Sequence, residues 1–548
     1  MPRQRVVALG LDGLEVTFAD RLIAAGAMPA LAQLQQRSAR FLLDHGAAQR
    51  TGLAWEHVAS GLSPESGRRW AAVEFDPDTY EVWQEGARFT PWWSRLERRV
   101  VVFDTPYVDL RRSSNTSGVV AWGAHDPGTT PCSRPRGLLA EFHRRFGDYP
   151  SEWTYGTPWP SSTGTQSMSA ALTNALRTRT RAARWLATNR LPGWDLFFAV
   201  AGELHGSVEG LWHGVDPTHP LHKHPAAHAA AQGLMDVHRA LDEMIGEVID
   251  FAADASIVAF TMGGMGPNHS DAQSMVLLAE LLHRHAFGRS RLAVPPAWTR
   301  SPAEVPILDA DDSWNAASAA WVPTLPRQHE RRVPQPIRAF LRKHPTLRVA
   351  AKGLVAGVQA WRRSPGPYRL TLDWQPARRY ADDWPRMPAF ALPSFYDGRI
   401  RINLRGRERH GMVEPARYDE TCRSLEVLLR ECRNPLTGEP AVESIERACT
   451  HDPRALDSSE SDLLVVWRGV ATALEHPRLG LVGPVALRRT GGHTGPHGVA
   501  YVVTPGLRAG DRGVRSSFDV APTLVELLGC PPVSGMSGRS LLTPGERV

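Results

Sequence analysis

Residues 6–13 read VVALGLDG, a continuous apolar run that ends at Asp12 and Gly13. Such a run is typical of a parallel strand that is buried on both faces. Open α/β sheets bind their ligands beyond the carboxyl ends of these strands, so we expect the Asp12 carboxylate at the ligand-binding edge of a sheet. On spacing alone, Asp12 also fits a residue that caps a turn before Gly13.

Residues 51–62 read TGLAWEHVASGL and predict a helix that begins just after Thr51. A threonine hydroxyl is a weak nucleophile at neutral pH unless a base or a metal stabilises its alkoxide, and a helix N-terminus attracts anions. Thr51 is therefore a candidate nucleophile that a metal held by Asp12 would activate. Trp55, one turn later, is a candidate for the wall of the substrate pocket. Thr51 equally fits a plain helix cap.

The composition is that of a folded globular protein. Of the 548 residues, 42% are hydrophobic and 22% are charged, which are ordinary shares and do not indicate disorder. The chain exceeds a typical domain of about 100–200 residues, so we expect one large α/β core with an insertion.

Charge and cysteine content narrow the possible partners and the compartment. The net charge of +6 comes from scattered arginines, which favours a small anionic substrate over a nucleic-acid groove. The five cysteines are odd in number and widely spaced, which predicts neither a disulfide framework nor a CxxC zinc site and suits the reducing cytoplasm. No stretch approaches the roughly 20 apolar residues of a membrane-spanning helix, so we expect no membrane segment.

Composition and hydrophobic pattern divide the chain into three parts. Residues 1–285 alternate apolar strands with amphipathic helices, which predicts the first part of a doubly wound core. Residues 286–385 are rich in Pro, Trp and Arg, contain a predicted helix over 337–361, and are predicted to form an inserted cap. Residues 386–548 return to the α/β pattern and end in a helix over 519–528. The predicted fold is a three-layer α/β/α sandwich with a mainly parallel central sheet, whose strands are expected at 6–11, 100–103, 196–200, 257–261, 400–403, 463–466 and 499–503.

Further candidate ligands lie next to predicted strands. His205 and Glu209 follow strand 196–200 and are four residues apart, so they share one face of a helical turn. His493 lies in a glycine-rich loop just before strand 499–503. Two histidines, one glutamate and an open position suit catalytic zinc, and manganese or iron are also compatible. The alternative is that His205 and Glu209, with His213, form an ordinary polar helix face.

A set of short motifs follows a fixed order along the chain. They are Asp12-Gly13, Met28-Pro29-Ala30-Leu31, Thr51 with Trp55, Ser60-Gly61-Leu62-Ser63-Pro64, the segments 402–408 and 435–439, the Gly-x-His493 loop and the segment 519–523. In this order they resemble the type I phosphodiesterase/nucleotide pyrophosphatase family of the alkaline phosphatase superfamily. Each motif is weak by itself, and the resemblance rests on their order over most of the chain.

The resemblance implies an alkaline phosphatase-like fold and a two-metal esterase in which a threonine, here Thr51, attacks phosphorus in line. In the family, an Asp, a His four residues later and a C-terminal His hold the first ion. The second ion is held by the N-terminal Asp, here Asp12, by the nucleophile and by an adjacent Asp-His pair. The positions of this chain that match the first set are His205, Glu209 and His493.

At both sets of ligands the sequence departs from the family. At the first set, His205 and Glu209 exchange the family's residue types but keep ligand atoms. At the second set, Met262 and Gly263 stand where the Asp-His pair should be, and neither offers a side-chain ligand suited to a hard ion. The sequence therefore predicts one well-held divalent ion rather than two, zinc being favoured, with Asp12 orienting or activating the nucleophile. The residues that could replace the lost ligands are His269, Asp271 and Glu203.

Three functions remain open. The first is a metal-dependent hydrolase of a phosphate-type or sulfate-type ester, with Trp55, Arg405 and Arg407 as candidate substrate-binding residues. The second is a relative repurposed as a transferase or lyase in specialised biosynthesis, and the third is a non-catalytic binding relative. Arg405 and Arg407 can equally form structural ion pairs with Glu408 or Glu414. Neither the substrate nor the oligomeric state follows from the sequence.

Overall fold

The computed structural model describes residues 4–151, 160–309, 313–323, 368–448 and 452–542. The predicted helix over 337–361 lies outside these ranges. The strands are β1 (Val6–Leu11), β2 (Ala39–Asp44), β3 (Val73–Phe75), β4 (Val82–Glu85), β5 (Val100–Phe103), β6 (Thr116–Val120), β7 (Cys132–Arg134), β8 (Leu196–Ala201), β9 (Ser256–Thr261), β10 (Gly264–Pro267), β11 (Arg369–Thr371), β12 (Ala389–Leu392), β13 (Gly398–Ile402), β14 (Val442–Arg447), β15 (Leu463–Trp467), β16 (Leu474–His476), β17 (Gly480–Val482), β18 (Gly491–Gly495), β19 (Gly498–Val503) and β20 (Gly510–Ser516).

The α-helices cover both faces of the largest sheet and part of the smaller ones. They are α1 (Val16–Ala24), α2 (Pro29–Arg37), α3 (Ala54–Ser60), α4 (Pro64–Gly67), α5 (Leu138–Phe146), α6 (Ser162–Trp185), α7 (Glu203–Leu211), α8 (Ala227–Phe251), α9 (Leu278–Phe287), α10 (Pro296–Thr299), α11 (Trp314–Trp321), α12 (Tyr418–Arg430) and α13 (Val520–Leu527). In the described part of the chain, no helix is both long enough and apolar enough to cross a membrane.

The central sheet has nine strands in the order β20-β2-β19-β9-β1-β8-β5-β6-β7. Seven of them run in one direction, and only β19 and β7 are antiparallel to their neighbours. β1 lies in the middle, paired with β8 on one side and β9 on the other. The carboxyl ends of these three strands therefore meet at one edge of the sheet, where Asp12 begins the loop after β1.

Helices pack on both faces of this sheet. In β1, Val7, Leu9 and Leu11 belong to a core shared with α1, α2, α6 and α8. Val6 and Ala8 point to the opposite core, shared with α3 and α13. Both faces of β1 are buried, which explains why its sequence is apolar without alternation. The predicted three-layer α/β/α sandwich with a mainly parallel central sheet is confirmed.

A second core surrounds the four-stranded antiparallel sheet β12-β13-β15-β14. The strands predicted at 400–403 and 463–466 exist as β13 and β15, but they belong to this sheet and not to the central one. Trp314 and Trp321 of the predicted cap pack into the same core. The division at 285 and 385 stays a prediction.

Candidate functional site

The carboxyl ends of the central strands enclose a cleft lined by four of the eight predicted site residues, namely Asp12, Trp55, His205 and His493. Asp12 comes from β1, His205 and Glu209 from α7 after β8, and His493 from β18. The cavity beside them is small, at ≈ 40 Å³. An ordered water needs about 10–15 Å³ by this measure, so the cleft admits only a few water-sized groups.

His205 is the centre of the cluster. Its Nδ1 lies 3.2 Å from Asp12 Oδ2, and its Nε2 lies 3.1 Å from Glu209 Oε1. All three residues are buried. The i, i+4 spacing on α7 therefore does bring His205 and Glu209 onto one face, and the strand end brings Asp12 against them.

Glu209 has a second partner, Arg489, which donates to the same Oε1 through Nη1. The backbone of the arginine's loop is also fixed to α7, because Thr490 N donates to Glu209 O over 2.7 Å. Beyond Arg489, Asp271 Oδ2 lies 3.9 Å from its Nε and accepts a 2.9 Å hydrogen bond from Arg488. The result is a buried chain of alternating charges, in the order Asp12, His205, Glu209, Arg489, Asp271 and Arg488.

His125 completes the cluster and was missed by the sequence analysis. Its ring centroid lies 4.0 Å from that of His205. His125 follows β6, whose apolar run is only Val119 and Val120, too short to be recognised as a strand. The rule that located Asp12 would have located His125 if β6 had been recognised, because both follow strands that end at the same edge.

Three of these residues could hold a metal ion. His125, His205 and Glu209 each offer a ligand atom, and these atoms lie within 4.8 Å of one another. His493 lies close by, its ring centroid 4.7 Å from that of His205. Imidazole and carboxylate donors suit zinc and its neighbours, so the donor set fits a divalent ion. Because His205 uses both ring nitrogens on carboxylates, an ion would have to displace one of those hydrogen bonds.

Neighbouring charges and burial shift the pKa of His205 in one direction and those of His125 and His493 in the other. Burial opposes protonation of His205, but the carboxylates of Asp12 and Glu209 raise its pKa to about 10. Burial and the neighbouring His205 cation lower the pKa of His493 to about 3 and lower that of His125 as well. At neutral pH the metal-free cluster therefore holds one imidazolium between two neutral imidazoles. Neutral imidazole is the ligating form, so metal binding at His205 must release a proton.

Thr51 lies outside the lining of this cleft. It ends a 3₁₀ helix (Gly46–Thr51), and Gly52 follows with φ +73°. The hydroxyl of Thr51 donates to Ala48 O over 2.7 Å and accepts from Leu53 N over 3.2 Å. The residue lines a separate cavity, next to Arg50 and Arg399. Its hydroxyl is thus engaged by its own loop.

The two positions that depart from the family do lie in the cleft. Met262 and Gly263 both line it, and a Cβ on Gly263 would lie 3.1 Å from Gln49 Cδ. The Gln49 amide fills this space and donates to His493 O over 3.0 Å. The three suggested replacement ligands do not line the cleft within the described ranges, and two have other partners: Asp271 binds Arg488, and Glu203 binds Arg179 and Tyr149.

The predicted substrate-binding residues have different positions. Trp55 lines the cleft, and its ring lies over Gly10, where a Cβ would approach Trp55 Cζ3 to 2.7 Å. Arg405 instead pairs with Glu414 at the surface. Arg407 is buried in the second core, where it binds Glu408 and Asp462. Neither arginine is among the residues that line the cleft.

A larger cavity of ≈ 360 Å³ adjoins the cleft. His125, Asp126 and Tyr396 line both spaces. The remaining wall has three aromatic residues among polar, charged and aliphatic ones, and it comes in part from the predicted cap. Its residues include Tyr368, Trp374, Phe395, Arg488 and Arg489.

Comparison with known proteins gives structural likenesses only. No family model and no curated protein matches the sequence. Among solved structures, phosphonoacetate hydrolase from Sinorhizobium meliloti 1021 is 15% identical over 96% of both chains, with a TM-score of 0.48. Human ectonucleotide pyrophosphatase/phosphodiesterase 5 is 10% identical over 98% of this chain and 97% of its own, with a TM-score of 0.47. The murine protein of the same name is 11% identical over 96% of both chains, with a TM-score of 0.46. Likenesses at these scores carry no argument about the activity of this chain.

Proposed function

We propose that the chain is a metal-dependent hydrolase of a phosphate-type or sulfate-type ester that works with one divalent ion. The observation that carries this proposal is the placement of His125, His205 and Glu209, with ligand atoms within 4.8 Å of one another, beside Asp12. A buried cluster of imidazoles and carboxylates that lines a cleft at the carboxyl edge of a parallel sheet is typical of a catalytic site. The ion and its identity, with zinc favoured, belong to the proposal.

When bound, a divalent ion would polarise a phosphoryl oxygen and stabilise the charge that develops on it. The protein residues around it orient its ligands. Asp12 holds His205 through Nδ1, which leaves Nε2 to face the ion once Glu209 moves from it. Arg489 donates to the same Oε1 of Glu209 that His205 contacts, so it holds the carboxylate in place. Such partners set ring orientation and ligand basicity.

Thr51 remains the proposed nucleophile, on the strength of the motif around it. To act, its hydroxyl must leave Ala48 O and turn toward Asp12. Thr51→Ala tests this directly. We expect turnover of p-nitrophenyl esters to fall by at least about 100-fold, and unchanged turnover would assign the attack to water instead.

The organic part of the substrate belongs in the ≈ 360 Å³ cavity, because the cleft beside the ligands, at ≈ 40 Å³, is too small for it. Tyr368, Trp374 and Phe395 give this cavity an aromatic wall. Aromatic side chains are common in pockets that bind organic ligands.

Metal analysis of the purified protein is the decisive experiment. We expect one equivalent of transition metal per chain, absent from His205→Ala, together with hydrolysis of p-nitrophenyl mono- or diesters that requires this metal. Two equivalents would contradict the single-ion assignment. No bound metal and no metal-dependent turnover would refute the proposal.

A non-catalytic binding protein is the second candidate, and one observation favours it. Both ring nitrogens of His205 have carboxylate partners, and Glu209 also binds Arg489, so the buried charges balance without an ion. A protein of this kind would bind oxyanions without metal and without turnover. The same metal analysis and ester panel separate the two candidates.

A further inference from the structure

Tyr107 lines the cleft beside Asp12 and His125, and the proposed chemistry has not used it. Its side chain is buried, with 2% of the residue exposed. Within the described part of the chain, its hydroxyl has no partner at hydrogen-bond distance, although the Gln84 side chain lies close enough to lower its pKa. A buried hydroxyl without a partner costs free energy, so it needs an explanation, and one explanation is a ligand that supplies the missing acceptor.

The backbone around Tyr107 is strained. Tyr107 has φ +57°, and Asp104, just before it, has φ +52°. The loop after the neighbouring strand β6 repeats this, with Ala121 at φ +59° and Asp126 at φ +45°. Non-glycine residues rarely adopt these angles, and they concentrate at functional sites, where the surrounding structure enforces them. Two strained loops thus flank the cleft on the side of β5 and β6.

These loops hold the Tyr107 ring in a fixed place. Tyr107 N donates to Pro127 O over 2.8 Å, which ties the two loops together. The ring packs so closely on Gly128 that a Cβ there would lie 2.6 Å from Tyr107 Cδ1. On another side, the guanidinium of Arg69 lies 5.8 Å from the ring centroid and is itself held by the buried carboxylate of Glu56. Tyr107 therefore has little freedom to turn its hydroxyl toward another partner.

The Tyr107 hydroxyl stays protonated at neutral pH and can therefore donate a hydrogen bond. Burial, together with the charge of Asp126, raises the pKa of Tyr107 well above its ordinary value. It keeps its proton throughout the neutral range and offers an O–H group rather than an oxyanion.

We propose that Tyr107 is a binding residue that donates its hydroxyl hydrogen bond to an anionic oxygen of the ligand in this cleft. The ligand is a tetrahedral oxyanion of the phosphate or sulfate type, and its identity rests on the proposed function. The donor supplies charge stabilisation on the side of the cleft formed by the loops after β5 and β6, across β1 and β8 from Met262 and Gly263.

The test compares Tyr107→Phe with Tyr501→Phe. Tyr501 is fully buried in β19 and does not line the cleft. Among the described residues its hydroxyl also has no partner at hydrogen-bond distance, although the Arg40 side chain lies close enough to lower its pKa. Both substitutions remove one orphaned hydroxyl, so we expect both to leave the Tm unchanged or raise it. Inorganic phosphate and vanadate are then titrated into the metal-loaded proteins, with thermal shift and calorimetry as readouts.

We expect Tyr107→Phe to weaken phosphate binding by about 10- to 100-fold, the range for a hydrogen bond to a charged group, and Tyr501→Phe to leave it unchanged. Equal affinities for wild type and Tyr107→Phe overturn the inference, as does a large drop in Tm for Tyr107→Phe, which would reveal a structural role for the hydroxyl. Oxyanion binding that depends on Tyr107 without any ester turnover refutes the hydrolase proposal and leaves this inference standing. No oxyanion binding by the wild type overturns both.

Discussion

Two buried networks of charge differ in what surrounds them. In the second core, Arg407 binds Asp462 through two hydrogen bonds of 2.7–2.8 Å, and binds Glu408 as well. Its remaining donors reach the carbonyls of Pro453 and Ile402. Every charge there is paired, and the backbone takes up the rest of the hydrogen-bonding capacity.

The network in the cleft is built from other groups and is less complete. Its cations are His205, which can lose its proton, Arg488, and Arg489. Among the described residues, the buried Nε of Arg489 has no partner at hydrogen-bond distance, and Asp271 Oδ2 lies 3.9 Å from it. It borders a cavity, and among the described residues the hydroxyl of Tyr107 beside it has no partner at hydrogen-bond distance. Unpaired polar atoms also occur away from the cleft, as at Tyr501, so the distinguishing feature of this network is that its incompletely paired groups border a cavity. The comparison thus separates a structural cluster from a candidate site within one chain.

The largest effect we expect comes from breaking the complete network. Arg407→Met leaves Glu408 and Asp462 buried without their cation, which should cost about 3–5 kcal/mol of unfolding free energy. Urea denaturation measures this. Arg405→Ala is the matched control, because its pair with Glu414 is exposed and should contribute no more than about 1 kcal/mol. If Arg407→Met instead keeps full stability and loses substrate affinity, Arg407 is a substrate-binding residue after all.

The contrast between the networks also marks the limit of the sequence analysis. Apolar runs predicted the strands at 6–11, 100–103 and 499–503 within a residue of their observed ends, because a strand buried on both faces must be apolar throughout. β20 was missed since it is a largely exposed edge strand, rich in Gly and charged residues.

Within the site, residues on the strand ends and on α7 followed from local spacing. His125 did not, because its position depends on a short strand and on the positive φ of Ala121. The partnership of Arg489 with Glu209 joins residues 280 positions apart, and no local pattern encodes it. For Arg405 and Arg407 the sequence left open substrate binding or ion pairs with Glu408 or Glu414, and the structure has the ion pairs, at the surface for Arg405 and in the second core for Arg407.

The next largest effect we expect is a loss of unfolding free energy at acid pH, caused by His45, which lines the cleft. Burial lowers the pKa of His45, which lines the cleft, to about 4, although Asp44 acts weakly in the opposite direction. Its neighbours on other elements are Ser517, at Nδ1, and His57, whose Nδ1 lies 3.1 Å from His45 Nε2. Because the folded pKa lies below the unfolded value of about 6.5, the unfolded chain binds the extra proton. Stability is therefore fully present above pH 6.5 and falls as the pH drops toward 4, by up to roughly 3 kcal/mol.

Unfolding curves between pH 7 and pH 4 measure this loss. His45→Gln removes the titrating group, so its stability should fall less steeply than that of the wild type over the same range. Parallel slopes for the two proteins would show that His45 does not contribute.

The third prediction identifies which neutral histidine completes the metal set. His125 belongs to the group whose ligand atoms lie within 4.8 Å, and His493 does not. We expect His125→Ala to weaken metal affinity by about 100-fold, or about 2.7 kcal/mol, and His493→Ala by no more than about 10-fold. Competition with a chelator of known affinity measures both. His143→Ala, at a half-buried histidine on α5 that does not line the cleft, is the control. The reverse order would assign the third ligand to His493.

The smallest effect we expect arises where the cleft network meets the second core. Trp374 lines the larger cavity, and the guanidinium of Arg488, at the end of the alternating chain, lies 4.7 Å from its ring centroid. If this cavity receives the organic part of the substrate, Trp374→Ala should raise KM for aryl esters by about 10-fold, or about 1.4 kcal/mol, with kcat nearly unchanged. A small alkyl ester, which does not reach the wall, should keep its KM. Trp298→Ala, which removes a cap tryptophan packed on Trp321 away from the cavity, controls for loss of cap structure. Equal KM changes for aryl and alkyl esters would mean that Trp374 acts through Arg488 and the buried chain of charges rather than by contact with the substrate. The cleft network would then depend structurally on the second core.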